Sequence, residues 1–328
     1  MEGSPTIESG GNKYSPNEES QAQSQKGRRT SCIVIAAVVI GCLLVVALVL
    51  GVYFGLKGSD ESSQPESQVR GHQNGTRWND LSVTWGPIPS DPKYFAQMPR
   101  TVQNALSLGF KKISDCDLTV PWRGQRFVKD NDYAVVLLYD VNGYIAGIQT
   151  SIPNNGSSGY PSASVQPPFV TDGDRYTISA YFVNPSIICT KGRTKEEFSS
   201  QGTGSNLYLQ RTEDPEASTL IPRQETGIAA TKWTEGQCFA SMGRHYWYDV
   251  RRDMSCDSLF PVFLLYNWGR LTAFGWAMVT DLSSLRYEHP SAAVLQAFIK
   301  EPPTCLFQMK AISTMHIYLI DDAHLSPC

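Results

Sequence analysis

The stretch VVLLYDVNGYIAGIQ at residues 135–149 has an apolar run, a polar turn at Asn142-Gly143 and a second apolar run. The stretch VFLLYNWGRLTAFGWA at residues 262–277 has the same plan, with its turn at Trp268-Gly269. Short apolar runs rich in β-branched and aromatic residues are typical of strands, and glycine supplies the positive φ that a tight turn needs. Both stretches are therefore predicted to be β-hairpins with mostly buried strands.

The similarity between these two stretches extends along the chain at a spacing of about 130 residues. Each hairpin is preceded by a cysteine and followed by a Pro-Pro pair, an apolar strand and a second cysteine. This order predicts a tandem duplication, with repeats at about residues 110–200 and 232–328. The alternative is that two unrelated hairpins lie in one β-rich domain. The matching features are Cys116 and Cys238, Pro167-Pro168 and Pro302-Pro303, the strands 176–183 and 312–320, and Cys189 and Cys328.

Helices are predicted at two places in this part of the chain, residues 99–108 and 290–300. Each begins at a proline, which suits the first turn of a helix, and each is followed by a glycine or a proline that ends it. The 26 glycines and 20 prolines of the chain divide the remaining sequence into short pieces. The predicted fold class is α+β, dominated by antiparallel β-sheet, with one N-terminal transmembrane helix.

An uncharged apolar run, CIVIAAVVIGCLLVVALVLGVYFGL, occupies residues 32–56. A helix of this length covers the hydrocarbon core of a bilayer, about 30 Å thick, with some tilt. A cleaved signal peptide is the alternative, but its apolar core would be shorter. We expect residues 31–56 to form a single transmembrane helix that acts as a signal anchor.

The charges beside this run predict its orientation. Lys26, Arg28 and Arg29 precede it, whereas acidic residues are more frequent in the segment that follows. Positive charge favours the cytosolic side, so we expect a single-pass type II membrane protein of the cell surface or the secretory pathway, with its C-terminus outside the cytosol. The predicted organisation is a disordered cytosolic tail at residues 1–30, the membrane helix at 31–56, a stalk at 57–77 and an ectodomain at 78–328.

Two features of the C-terminal part are typical of an oxidising compartment. Asn74 and Asn155 lie in Asn-x-Ser/Thr acceptors for N-glycosylation. Six of the eight cysteines follow the apolar run and are expected to form disulfides. A zinc site is the alternative for these cysteines, but the sequence contains no Cys-x-x-Cys pair. The predicted disulfides are Cys116–Cys189, Cys238–Cys328 and Cys256–Cys305.

The function predicted for the ectodomain is binding of a ligand or partner outside the cytosol. Residues 244–249 combine a base, a titratable ring and large aromatic surfaces, which is the composition of a ligand-contacting loop. The alternative is that these aromatic residues belong to the core. The formal net charge of −3 gives no reason to expect a nucleic-acid partner, and no cofactor is predicted. The predicted binding residues are Arg244, His245, Tyr246, Trp247 and Asp249.

A second hypothesis is a metal-dependent enzyme of the secretory pathway that uses His245 and His316. In the strand at 312–320, His316 shares a face with Thr314 and Tyr318, and it would need a polar partner if that face were buried. Asp-x-Asp pairs suggest the metal site of a glycosyltransferase, but the chain lacks the alternating strands and helices of a nucleotide-binding domain. A purely structural role, as a coat or matrix protein, is a third interpretation.

Overall fold

The computed structural model describes residues 77–86, 91, 93–154, 159–295, 297–309 and 311–321. The predicted cytosolic tail, the transmembrane helix and nearly all of the stalk lie outside these residues, as do Asn74, Asn155 and Cys328. Within the described residues, no helix combines the length and the apolar composition needed to cross a membrane.

Short strands make up most of the described chain. In chain order they are β1 (Ser82–Thr84), β2 (Phe95–Gln97), β3 (Lys111–Ser114), β4 (Gln125–Lys129), β5 (Asp132–Tyr139), β6 (Ile145–Pro153), β7 (Val170–Asp172), β8 (Arg175–Tyr181), β9 (Leu207–Leu209), β10 (Thr219–Ile221), β11 (Trp233–Phe239), β12 (Gly243–Tyr248), β13 (Val262–Asn267), β14 (Arg270–Met278) and β15 (Ser313–Tyr318). The α-helices are also short: α1 (Val102–Ser107), α2 (Pro185–Ile188), α3 (Lys195–Gln201) and α4 (Ala292–Leu295).

The strands form two antiparallel sheets. A 7-stranded sheet has the order β11-β12-β13-β14-β15-β1-β2. An 8-stranded sheet has the order β10-β9-β8-β6-β5-β4-β3, and β7 pairs with β8 beside this path. Each strand pairs with its neighbours in the antiparallel sense. The prediction of a fold dominated by antiparallel sheet, with few helices, is confirmed.

The two sheets have a similar strand order. The 8-stranded sheet contains four sequential neighbours, β3 to β6, followed by β8 and then by two short strands, β9 and β10. The 7-stranded sheet contains four sequential neighbours, β11 to β14, followed by β15 and then by two short strands, β1 and β2. The short strands differ in origin, because β9 and β10 follow β8 in the chain whereas β1 and β2 precede every other described strand.

Both predicted hairpins are present, as β5 paired with β6 and β13 paired with β14. Gly143 has a φ of 84° in the first turn, and Trp268 and Gly269 have φ values of 51° and 70° in the second. The strands are buried on both faces along most of their length. This explains why their sequences are continuous apolar runs rather than alternating ones.

Both predicted helices are shorter than the sequence suggests. Helix α1 begins at Val102 rather than at the proline, because the hydroxyl of Thr101 accepts a hydrogen bond from the backbone N–H of Asn104 and caps the helix. Helix α4 covers only Ala292–Leu295. After it, the carbonyl of Phe298 accepts hydrogen bonds from β11 and β12, so contacts with the sheet replace helical ones.

One hydrophobic core extends across both sheets. The ring of Phe182, which follows β8, lies with its centroid 6.4 Å from that of Phe274 in β14. The indole N–H of Trp78 donates a hydrogen bond of 3.0 Å to the carbonyl of Leu271, also in β14. The core therefore joins residues from the first and last parts of the described chain.

Disulfides connect Cys116 to Cys189 and Cys256 to Cys305. These are two of the three pairs that the sequence predicts. Cys238 is also disulfide-bonded. Its predicted partner, Cys328, lies outside the described residues, so that pairing stays a prediction.

Candidate functional site

The residues predicted to form a ligand-contacting loop form a β-strand instead. Strand β12 (Gly243–Tyr248) lies between β11 and β13 in the 7-stranded sheet, so the expectation of a loop is wrong. His245, Tyr246 and Trp247 are buried in it, and Asp249 follows it with a φ of 49°. Aromatic residues fit a strand well when they pack against other rings, as they do in this sheet.

Arg244 and Asp249 are the partly exposed members of the predicted group, and Arg244 is held by carboxylates. Its Nε lies 3.3 Å from a carboxylate oxygen of Glu225, and its Nη1 donates to Glu235. The hydroxyl of Tyr246 donates a hydrogen bond of 2.9 Å to Glu225, and burial raises the pKa of this tyrosine. A ligand that bound Arg244 or Tyr246 would therefore compete with contacts inside the protein. Their role in binding stays a prediction.

His245 and His316 lie close together in the 7-stranded sheet. Their ring centroids are 6.3 Å apart and their planes are nearly perpendicular. Burial lowers the pKa of His245 to about 4 and that of His316 to about 3, so both rings are uncharged at neutral pH. Nδ1 of His245 lies 3.3 Å from the carbonyl of Gln237. Nδ1 of His316 has no hydrogen-bond partner among the described residues.

Aromatic rings surround this pair of histidines. The centroid of Phe263 lies 5.6 Å from that of His245 and 5.0 Å from that of His316. Phe298 lies 4.8 Å from His245, and Tyr318 lies 6.2 Å from His316. In the part of the chain that the structure describes, no three His, Cys, Asp or Glu side chains form a group able to hold a metal ion. A metal at these histidines stays a prediction.

A large cavity lies elsewhere, between the 8-stranded sheet and the segment 279–287. Its volume is about 890 Å³. Strands β5 and β8 contribute Asp132, Tyr133 and Arg175 to its wall, and the segment 279–287 contributes Ser284 and Tyr287. The described residues that line it include no member of the predicted binding group.

The carboxylate of Asp132 connects the two walls of this cavity. Its Oδ2 accepts a hydrogen bond of 2.8 Å from the hydroxyl of Ser284, and its Oδ1 accepts one of 3.0 Å from the backbone N–H of Ala134. Nε of Arg286 lies 3.5 Å from Oδ2, and this guanidinium is stacked over Trp85 at 5.4 Å. The negative charge of Asp132 is therefore already matched by a cation and by two hydrogen-bond donors.

Phenol groups in the wall are uncharged. Burial raises the pKa of Tyr287 and that of Tyr160, so both remain protonated at neutral pH. The hydroxyl of Tyr287 is hydrogen-bonded to the hydroxyl of Thr150. Burial has the largest effect on the pKa of Tyr287 and raises it, and the hydrogen bond with Thr150 lowers it. The charge of Asp132 raises this pKa by a smaller amount, and the charge of Arg175 lowers it.

Arg175 supplies positive charge to the cavity. Its guanidinium lies 3.9 Å from the centroid of the Tyr133 ring, which is a cation–π contact. Among the described residues, no carboxylate lies within ion-pair distance of Arg175. The cavity thus contains an arginine whose charge is available to a bound molecule.

Of the predicted group, Asp249 lies at a smaller cavity of about 190 Å³. Its carboxylate pairs with Arg251 at 2.8 Å. In the same wall, the guanidinium of Arg211 lies 4.0 Å from the centroid of the Tyr248 ring. This volume is below the range of about 300–1,000 Å³ that is usual for small-molecule sites.

Sequence reasoning missed the larger cavity because its walls come from segments that are far apart in the chain. One signal was available: Asp132 and Arg175 are charged, and each is the first residue of a largely apolar strand. A charge at the end of a strand is common, so this signal is weak by itself. Only the three-dimensional structure places both charges at one cavity.

Comparison with known proteins gives no match: no family model, no curated protein and no solved structure shows significant similarity to this chain.

Proposed function

We propose that the chain is a single-pass type II membrane glycoprotein whose domain outside the cytosol binds a small-molecule ligand in the cavity of about 890 Å³. The observation that carries the proposal is this cavity, because its volume lies within the range of about 300–1,000 Å³ typical of ligand sites. Its wall also combines apolar surface with a few polar groups that converge, including Arg175 and Tyr287. The membrane topology is supported by the uncharged run at residues 32–56 and by the two glycosylation acceptors.

The cavity supports ligand binding better than the segment 244–249 does. In that segment, the charged group of Arg244 is paired with carboxylates and the ring of Trp247 is buried. In the cavity, Arg175 is free of such a partner among the described residues. A ligand gains more from a cation that has no competing carboxylate.

We also propose that the two sheets arose by duplication of one hairpin-containing unit. The similar strand orders of the sheets support this, since each has four sequential neighbours followed by one further strand and two short ones. The matching positions of the two hairpins within these orders support it as well. The different origins of the short strands mark where the two units diverge.

The experiment that tests ligand binding narrows the cavity with one substitution. Ala311 is partly exposed and lines the cavity, so Ala311→Trp places a large side chain in it. The probe is dansylglycinamide, a neutral dye whose fluorescence rises in an apolar site. It is titrated into the full-length chain in lipid nanodiscs, and empty nanodiscs give the blank. We expect saturable binding that Ala311→Trp weakens at least about fivefold, because part of the contact volume is lost.

The matched control is Ala229→Trp, which adds the same side chain at an exposed position that lies outside this cavity. We expect this variant to bind the dye like the wild type. The proposal is wrong if the wild type shows no saturable binding, or if the two tryptophan variants bind the dye equally well.

A further inference from the structure

We propose that the natural ligand of this cavity is a small organic carboxylate with an apolar body, and that Arg175 binds its carboxylate group. This inference rests on the proposed function of the cavity and adds the chemical class of the ligand. Four observations carry it: the position of Arg175, the pairing of the neighbouring acids, the neutral phenols and the apolar part of the wall.

Strand pairing and stacking hold Arg175 in place. It is the first residue of β8 and lies opposite Pro153 of β6 and Asp172 of β7. Its guanidinium stacks on the ring of Tyr133, which comes from β5. Stacking occupies the face of the guanidinium and leaves the N–H groups at its edge for hydrogen bonds. Two parallel N–H groups at that edge match the two oxygens of a carboxylate.

The acids of the cavity wall do not neutralise Arg175. Asp132 is engaged by the hydroxyl of Ser284 and by Arg286. Asp281 has a side chain that is 78% exposed, and its carboxylate lies 3.3 Å from Nε2 of His289. Burial raises the pKa of Tyr160 and that of Tyr287, so these two phenols are protonated and add no negative charge. An anion that entered the cavity would therefore meet one cation without a carboxylate partner, whereas the acids of the described lining are either engaged by other groups, as Asp132 is, or largely exposed to solvent, as Asp281 is.

The rest of the wall favours an apolar ligand body. Ile152, Val279, Leu282 and Met309 line the cavity beside the polar groups. Apolar surface contributes affinity roughly in proportion to the area it removes from water, whereas one charged contact fixes orientation. This combination suits an amphipathic acid of drug-like size rather than a small inorganic anion.

A single guanidinium favours a carboxylate over a phosphate. A phosphate group carries close to two negative charges at neutral pH, and the second charge would face no further cation in the described wall. A carboxylate carries one charge and is matched by the single arginine of the described wall.

Three probes that share one dansyl skeleton test the inference. They are dansylglycine, which carries a carboxylate, dansylglycinamide, which is neutral, and dansylaminomethylphosphonate, which carries up to two negative charges. Dissociation constants are measured with the full-length chain in phosphatidylcholine nanodiscs. We expect dansylglycine to bind about tenfold more tightly than the amide, as a partly exposed charge-assisted contact would give. We expect the phosphonate to bind less tightly than dansylglycine.

The substitution Arg175→Gln should remove the preference for the carboxylate and leave the affinity for the amide within about twofold. The matched control is Arg211→Gln, which also removes an arginine stacked on a tyrosine but lies at the smaller cavity. It should keep the tenfold preference. If Arg175→Gln does not fold, as judged by circular dichroism, the carboxylate preference is measured in Arg175→Lys instead. We expect its preference to fall to about threefold, because lysine keeps the charge but loses the planar fork.

The outcomes separate this inference from the proposed function. Equal binding of dansylglycine and the amide, sensitive in both cases to Ala311→Trp, would leave the cavity as a ligand site and overturn the carboxylate assignment. So would tighter binding of the phosphonate, or a carboxylate preference that survives in folded Arg175→Gln or is undiminished in Arg175→Lys. A preference lost in Arg211→Gln but kept in Arg175→Gln would move the anion site to the smaller cavity. Loss of amide binding as well in folded Arg175→Gln would show that Arg175 shapes the wall rather than the ligand contact.

Discussion

We expect acid to destabilise the domain through the buried histidines His245 and His316. His245 is 1% exposed and His316 is 4% exposed. Burial lowers the pKa of His245 to about 4 and that of His316 to about 3, from an ordinary value of 6.5. Among the described residues, the groups that face them are the backbone of Gln237 and Gly243 and the rings of Trp247, Phe263, Phe298 and Tyr318, and no carboxylate forms an ion pair with either histidine.

The sign and size of the effect follow from proton linkage. The unfolded chain binds protons at these rings near pH 6.5, whereas the folded chain does not, so stability falls as the pH drops below 6.5. Both pKa values in the folded chain lie below 5. The loss of stability at about pH 5 is therefore set by the gap between that pH and the pKa of 6.5 in the unfolded chain. That gap corresponds to about 2 kcal/mol for each histidine and roughly 4 kcal/mol for the pair.

A buried carboxyl group acts in the opposite direction. Burial raises the pKa of Glu288 from 4.5 to about 7. The folded chain therefore binds this proton more tightly than the unfolded chain, and the associated stability is lost as the pH rises toward 7. Acidification restores part of this stability, which offsets some of the stability lost through protonation of the histidines. A comparison of the wild type with a histidine variant cancels this contribution.

The variant is His316→Phe, and the assay is urea unfolding followed by tryptophan fluorescence, at about pH 7.5 and about pH 5. Between these conditions, we expect the variant to lose about 2 kcal/mol less than the wild type, since one titrating ring is absent. At the higher pH it should be at least as stable, because Nδ1 of His316 has no hydrogen-bond partner among the described residues. The control His72→Phe removes a histidine of the predicted stalk and should keep the wild-type pH dependence. Equal losses in the wild type and His316→Phe would refute the reasoning.

Two further predictions concern topology and backbone conformation. Glycosidase digestion of the chain expressed in eukaryotic cells should increase its gel mobility. Asn74→Gln and Asn155→Gln should each remove one glycan. A chain that carries no sugar would contradict the placement of residues 78–328 outside the cytosol. Gly202→Ala should cost more than about 3 kcal/mol in urea unfolding, because φ is 67° and the new Cβ would lie 2.2 Å from the carbonyl oxygen of Trp78. Gly269→Ala has a similar φ of 70° but open space around it, so it should cost only about 1 kcal/mol; equal costs would show that the close contact is relieved elsewhere.

The hairpins were predictable because their signals are local. A turn with Gly143 or with Trp268 and Gly269 lies between two apolar runs, and both the turn and the runs are visible in the sequence. The helix predicted at residues 290–300 is shorter in the structure, as Ala292–Leu295, for the opposite reason. Its proline and its apolar spacing are local, but the carbonyl of Phe298 bonds to β11 and β12, which no local pattern reveals.

The segment around Trp247 illustrates a second limit of sequence reasoning. Tyrosine, tryptophan and arginine are common in binding loops, but they are equally suited to a strand packed against aromatic neighbours. The choice depends on whether β11 and β13 flank the segment, and this is a property of the whole sheet. The sequence does not determine that His245 and His316 lie close together. Two strands lie between β12 and β15, which would separate them by about 14 Å in a flat sheet. Strand order alone therefore does not account for the 6.3 Å between the ring centroids.

The cavity depends on both halves of the described chain. Asp132 and Arg175 come from the first predicted repeat, at residues 110–200, whereas Ser284 and Tyr287 come from the second, at residues 232–328. The contacts of Asp132 with Ser284 and Arg286 join the two, so neither repeat alone forms the wall. A molecule bound there would contact both repeats and would stabilise their association, because any ligand that binds only the folded state shifts the unfolding equilibrium.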